Sequence, residues 1–219
     1  MLRAPDRGTL SPPGIACSLL ALLLLAAGGC DWDWDERDLS PPTTDAPRIE
    51  DHIVLIGDSL LYQSTTPVVD ALESKGWQPT FRAMPAAPIA GHPLIDWREA
   101  MRTLVSDERP AVVVIELGTN DCNCDSIGDT IDDLMRVVAA DRVYWIGVRE
   151  QAPVPGDPAQ INDELEEAAR RWTNLEFVAL DGALDEERDI GEDRVHFSDE
   201  GQRVFADLIA NTVGEPESR

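Results

Sequence analysis

Ser59 lies within Gly57-Asp58-Ser59-Leu60, directly behind the apolar run His52-Ile53-Val54-Leu55-Ile56. A serine hydroxyl placed where a strand ends and a helix can begin is well sited for nucleophilic attack. At neutral pH it still needs a base to take its proton. The candidates are His52, His92 and His196. His52 opens an apolar run beside Glu50 and Asp51, and His92 follows Gly91 in a Pro-rich stretch. His196 has Asp193 three residues before it, in Asp193-Arg194-Val195-His196. At that spacing the carboxylate can hold one ring nitrogen, set the tautomer and stabilise the imidazolium that forms when Ser59 gives up its proton.

A further polar cluster, Gly118-Thr119-Asn120-Asp121, follows the apolar run Ala111 to Leu117. Acyl transfer builds negative charge on the former carbonyl oxygen, and each preorganised donor aimed at it is commonly worth about 3 kcal/mol. Asn120 offers a side-chain amide, Ser59 its own backbone N–H, and Gly91 a backbone N–H that no Cβ screens. Each part has a plainer reading. Asp-x-x-His can be a surface turn, Asn120 a loop former, and Gly91 a shape-giver before Pro93. Their joint occurrence in chain order favours chemistry: Ser59, Asp193 and His196 as catalytic residues, with Ser59, Gly91 and Asn120 as an oxyanion hole. Other equipment is missing. The Gly-x-Ser-x-Gly elbow, a Walker loop, a dinucleotide glycine fingerprint and a His/Glu zinc helix are all absent, so neither a cofactor nor a metal is expected.

Positioning these groups requires elements that end at one edge. The runs His52 to Ile56, Ala111 to Leu117, Val143 to Val148 and Leu175 to Leu180 are nearly continuous in Val, Ile and Leu, as suits strands buried on both faces. Thr80 to Arg82 adds a short neighbouring strand. Between them fall helical patterns at Pro67 to Lys75, Leu94 to Ser106, Ile127 to Ala139, Ala159 to Trp172 and Asp199 to Asn211, the last with Ser198 as a cap. Alternation of this kind predicts an α/β three-layer α/β/α sandwich on a parallel sheet, with the ligand crevice beyond the carboxyl ends of the strands. The domain is expected over residues 51–212, with a flexible tail at 213–219.

Residues 1–29 read as a signal peptide. Arg3 and Arg7 precede the apolar Ile15 to Ala27, which is short for a membrane span. The Ala-Gly-Gly-Cys ending resembles a bacterial lipobox, with Ala27 where Leu is commonest, and that resemblance implies lipidation at Cys30. Plain signal cleavage and an uncleaved anchor are the alternatives; each reading puts the domain outside the cytoplasm, and lipidation would make it a cell-envelope lipoprotein. Residues 30–50 read as the lipidated cysteine and a linker rich in acids, Pro, Ser and Thr, too poor in aliphatic side chains to offset its ordering entropy.

The formal charge is −24, and since Arg3, Arg7 and Asp6 give the signal segment a net +1, the remainder carries −25. That balance argues against nucleic acid or anionic lipid as partners, because both demand basic residues. The partners expected are an ester substrate and, through the N-terminal anchor, a membrane; a monomer is expected. Cys122 and Cys124, one residue apart, could form a tight local disulfide in an oxidising compartment; two free thiols come next, and redox chemistry last.

Taken together, the chain resembles the SGNH (GDSL-type) hydrolase family. Gly57-Asp58-Ser59-Leu60 matches its first block, Gly91 its glycine block, Gly118-Thr119-Asn120-Asp121 its third and Asp193-Arg194-Val195-His196 its last. The resemblance spans His52 to Asn211. It implies a flavodoxin-like fold, Ser59 as nucleophile, His196 as base oriented by Asp193, and the oxyanion hole given above. Asp58 and Asp121 would stabilise the loops around the site. The family includes lipases, carbohydrate acetyl esterases, thioesterases and acyltransferases. Short loops and the small apolar segment Met84 to Pro93 favour a short acyl group, such as acetyl, on a carbohydrate or small ester. An acyltransferase with the same acyl-enzyme, and an anchored binding protein without turnover, are the competing expectations.

Overall fold

A computed structural model describes residues 41–42, 46–122 and 126–217. The signal-like segment, Cys30 and Cys124 lie outside the described residues, and with them the expected lipidation site and the expected Cys122–Cys124 bridge. The chain runs β1 (Ile49–Gly57), α1 (Ser59–Gln63), α2 (Thr65–Ser74), β2 (Gln78–Ala83), α3 (Trp97–Glu108), β3 (Pro110–Glu116), α4 (Ile127–Met135), β4 (Arg142–Ile146), α5 (Pro158–Arg171), β5 (Leu175–Val178) and α6 (Asp199–Val213). All neighbouring strands pair in parallel, in the order β2-β1-β3-β4-β5. This is the flavodoxin-like order, in which a ligand crevice opens where the chain reverses direction between β1 and β3.

The physical reason is visible in the strand residues. Successive side chains of a strand face opposite sides, and here both sides are covered. Val54, Ile56, Val113, Ile115, Val143 and Trp145 pack into one apolar cluster with Met101 of α3, Ile131 of α4 and Leu165 of α5. Ile53, Leu55, Val112, Val114, Tyr144 and Ile146 pack into the other with Leu61 of α1, Leu72 of α2 and Phe205 of α6. Each fully buried Val, Ile or Leu contributes roughly 1.5–3 kcal/mol, so a sheet lined on both faces is strongly fixed in register.

Element ends follow their caps. Asp96 accepts from Glu99 N–H at the start of α3, Asp157 from Ala159 and Gln160 N–H at α5, and Ser198 from Gly201 N–H at α6. β1 begins at Ile49, whose N–H donates to the Arg109 carbonyl at 2.8 Å. It pairs with Pro110 across a register shift that periodicity cannot reveal. α4 stops at Met135, and the chain tightens into three-residue turns, Val137 N–H donating to Leu134 and Val138 N–H to Met135. After α6, the Gly214 carbonyl accepts the Trp77 indole N–H at 2.8 Å.

Candidate active site

β1 and β3 lie side by side and both end at Gly57 and Glu116, which share one rung of the ladder. The loops that follow them carry Ser59 and Asn120. α1 starts immediately after β1 because Gly57 lacks a Cβ: one placed there would come within 2.6 Å of the Leu61 Cβ and 2.9 Å of the Glu116 carbonyl. Asp58 caps the short helix, its Oδ1 accepting from Leu60 N–H at 3.0 Å. Ser59, the first helical residue, is half-buried.

His196 reaches Ser59 from a position 137 residues away. Its Nε2 lies 2.9 Å from Ser59 Oγ, and its Nδ1 lies 2.7 Å from Asp193 Oδ2. Asp193 Oδ1 also accepts from the backbone N–H of Val195 at 3.0 Å and of His196 at 2.9 Å. The His196 hydrogen bond first, then these two N–H groups, hold the Asp193 carboxyl down at about 2. An ionised Asp193 accepting from Nδ1–H leaves the Nε2 lone pair facing the serine hydroxyl, the arrangement that lets imidazole take its proton.

Asn120 Nδ2–H donates to Asp58 Oδ2 at 2.8 Å, and a longer contact of 3.4 Å runs from Nδ2 to the Ala87 carbonyl. The second is at the weak end of hydrogen bonding, so one amide N–H is only lightly held. Asp121, beside it, binds the loop after β2: both carboxylate oxygens accept from Ile89 N–H, at 3.1 and 2.9 Å. Burial pushes the Asp121 carboxyl up to about 6, against the pull of that bond.

The structure brings Ser59, Asp193, His196 and Asn120 into one connected set, with Asp58 as the link between helix α1 and Asn120. Gly91 stands apart from this set. It is exposed, at φ +79°, and with Ile95, Trp97 and Leu134 it lines a cleft of about 410 Å³ along α3 and α4. Among the described residues it makes no hydrogen bond to the others; the loop residue bonded to Asn120 is Ala87, next to Ala86 at φ +60°. His52 is engaged elsewhere, with the Glu108 carbonyl and Thr80 Oγ1 at 2.9 and 3.0 Å.

Residues that sequence patterns do not single out support the site. Arg149, 3% exposed, is bound by both carboxylate oxygens of Glu186 at 2.7 Å and donates through Nη2 to the Arg194 carbonyl. It thereby fastens the segment carrying Asp193 and His196 to the loop after β4. Gly201 of α6 lets the helix sit against the same segment: a Cβ there would come within 1.9 Å of the Asp189 carbonyl oxygen. Glu116, 2% exposed, lies under α1. The available signal was a charged residue at the end of an otherwise apolar strand, which the continuous-run pattern hides.

No curated protein shows significant sequence similarity to the chain. Among solved structures, similar folds include an esterase from Pseudoalteromonas sp., 14% identical, covering 74% of this chain and 96% of its own, with a TM-score of 0.57. The catalytic domain of a Streptococcus pneumoniae peptidoglycan O-acetyltransferase is 21% identical, covering 77% and 98%, with a TM-score of 0.58. The periplasmic domain of a lipopolysaccharide acetyltransferase from Salmonella ser. Paratyphi A is 13% identical, covering 76% and 85%, with a TM-score of 0.54. These likenesses concern the fold. The sequence itself matches the model of one family over residues 55–204, most of the described domain and every residue of the connected set. The chain belongs to the GDSL-like lipase/acylhydrolase family.

Proposed function

We propose that the protein is an extracytoplasmic serine esterase that removes short acyl groups, acetyl foremost, from a carbohydrate or small ester. The observation that carries this reading is the unbroken chain Ser59 Oγ–His196 Nε2, His196 Nδ1–Asp193 Oδ2, at 2.9 and 2.7 Å. Ser59 Oγ attacks the ester carbonyl while His196 Nε2 takes its proton. The negative charge that develops on the carbonyl oxygen is met by the Ser59 N–H, the lightly held N–H of Asn120 and the backbone N–H of Gly91. The tetrahedral intermediate collapses, and the departing alkoxide leaves as the alcohol with the proton from Nε2. Water then gives a proton to Nε2 and its oxygen to the acyl carbon. The carboxylic acid departs and Ser59 recovers its hydrogen. Asp193 stays ionised throughout, orienting the ring and stabilising the imidazolium.

Short-acyl preference rests on the loop after β2, where Ala87 and Ile89 are buried in the core and Asp121 holds the Ile89 backbone. A loop committed to the core in this way leaves little apolar surface for a long chain. A series of p-nitrophenyl esters should show the highest kcat/KM at acetate, and a maximum at about eight carbons or longer would reject the preference. Likeness in fold to two acetyltransferase domains favours a second reading, transfer of the acyl group to a sugar hydroxyl. Product analysis with an added sugar acceptor separates the two.

The primary test is labelling by a fluorophosphonate probe, expected for the native protein and absent in Ser59→Ala. An unlabelled native protein would favour the anchored binding reading. The same proposal includes removal of residues 1–29, lipidation of Cys30, a linker into a domain over 51–212 with its short tail, a Cys122–Cys124 bridge and a monomeric envelope lipoprotein. Mass spectrometry of the mature N-terminus and of the non-reduced peptide holding Cys122 and Cys124 checks the covalent parts.

A further inference from the structure

Glu116 closes β3 as its only charged residue and has no role in the reaction written above. Its Oε2 accepts the backbone N–H groups of Asp58 and Leu61, each at 3.2 Å, and its own carbonyl accepts Asp58 N–H at 3.0 Å. Asp58 is fully buried, with Oδ1 taken by Leu60 N–H at 3.0 Å and Oδ2 by Asn120 Nδ2–H at 2.8 Å. The two acids are buried neighbours, the Glu116 Oε2 lying 3.2 Å from the Asp58 backbone nitrogen. Two buried carboxyl groups in contact do not both ionise, and among the described residues no arginine or lysine pairs with either. Burial, reinforced by the charge of Asp58, pushes Glu116 well above the usual carboxylate range, a direction that favours its neutral form.

We propose that Glu116 is a positioning residue that acts through Asp58 and the first turn of α1 to fix both the Ser59 hydroxyl and the Asn120 amide. As a neutral acid it is donor and acceptor at once. It gives its O–H to Asp58 and takes the two N–H groups on either side of Ser59. Asp58, steadied as a carboxylate by Glu116 and by Leu60 N–H, then holds one N–H of Asn120, which turns the other towards the reacting carbonyl. Glu116 never touches substrate. The inference rests on the acyl-transfer reading above, since it assigns the supports of that site.

The test uses Glu116→Leu, Glu116→Gln, Asn120→Ala and the double variant that combines Glu116→Leu with Asn120→Ala, all in the full chain. For each, kcat and KM on p-nitrophenyl acetate, fluorophosphonate labelling rate and Tm are measured. E116L is expected to lower kcat about 30-fold with KM within about twofold, as for a lost alignment felt in the transition state. E116Q, whose amide can donate to Asp58 and accept both backbone N–H groups, should regain all but about threefold of that loss. When Asn120 is already replaced by alanine, E116L should cost under about threefold more, because the two changes act on one donor. Native kcat in folded E116L would overturn the proposal, as would a folded E116Q as slow as E116L, or fully additive losses in the double variant. If E116L does not fold, E116Q decides: near-native turnover supports the proposal and a loss of about 30-fold ends it. Failure of the native protein to label would instead remove the acyl-transfer reading, and the inference with it.

Discussion

Asp58 and Asp193, the two carboxylates that hold Asn120 and His196, stand in opposite surroundings. Asp58 is fully buried and joins α1 to Asn120, and its neighbours Glu116 and Asp121 are 2% and 4% exposed. Asp193 has a side chain 55% exposed and lies on an irregular segment between β5 and α6. On the buried side, position is set by the sheet: β1 and β3 end together, and a buried network of acids and backbone N–H groups lies behind Ser59. On the exposed side, position is set by a few clamps, among them Arg149, the Gly201 contact and the hydrogen bond between Gly191 N–H and the His196 carbonyl at 2.7 Å. The lesson is a division of labour. The half that must aim donors is rigid and desolvated, where dipoles are strong. The half that must carry a proton stays in contact with water, where Asp193 keeps its charge.

The largest expected effect comes where the two halves meet. His196→Ala should lower kcat by roughly 10⁴-fold or more, because the serine loses its base. Steady-state rates and phosphonate labelling would check this, and a loss under tenfold would show that the exposed side is dispensable. Asn120→Ala should follow, lowering kcat about 10²- to 10³-fold with little change in KM, as for one oxyanion donor. A change confined to KM would place Asn120 in substrate binding instead.

Arg149→Met sharpens the comparison from the exposed side. It touches no reacting atom, yet it releases the Arg194 carbonyl and frees the Glu186 carboxylate. We expect kcat to fall about 10-fold as His196 drifts from Ser59, and stability to drop by about 1–3 kcal/mol for the charged hydrogen bonds lost. Denaturant titration and kcat together decide; native turnover in a destabilised variant would reduce the clamp to a purely structural part.

The smallest effect is in pH, and its sign differs between the halves. Asp121 is pushed up to about 6 from an ordinary 3.8, so between about pH 4 and 6 the folded form holds more protons than the unfolded one. Stability from this side therefore falls as pH rises through that window. Asp193 is held down to about 2, so its contribution is present above 3.8 and lost as pH falls towards 2. Asp121→Asn, which keeps an acceptor for Ile89 N–H, should flatten the decline between about pH 4 and 6. Equal slopes for the native protein and the variant, by denaturant titration at several pH values, would contradict a buried, proton-favouring Asp121.

How far all this could be read in advance varies from residue to residue. Asp193 and His196 were legible because a three-residue spacing lets one turn join them, a local fact. Ser59 and Asn120 were legible because each follows an apolar run whose end marks a sheet edge. Glu116 was not, since it closes such a run and reads as part of it; only the approach of α1 over Gly57 makes its carboxyl the acceptor for two N–H groups. Arg149 was equally hidden, because its partners Glu186 and Arg194 are 37 and 45 residues away. Gly91 was named for its unscreened backbone N–H, and the structure adds that it sits at φ +79° in the loop after β2.

By itself, then, the order of residues determined the strand and helix periods, the parallel α/β class and the identity of the chemical groups, because these depend on short-range spacing and on which side chains avoid water. Tertiary structure alone decided that Ser59 and His196 would meet across 137 residues, and that Glu116 would be buried against the first turn of α1. Those outcomes depend on distances between segments and on local desolvation, and neither exists until the sheet has closed around them.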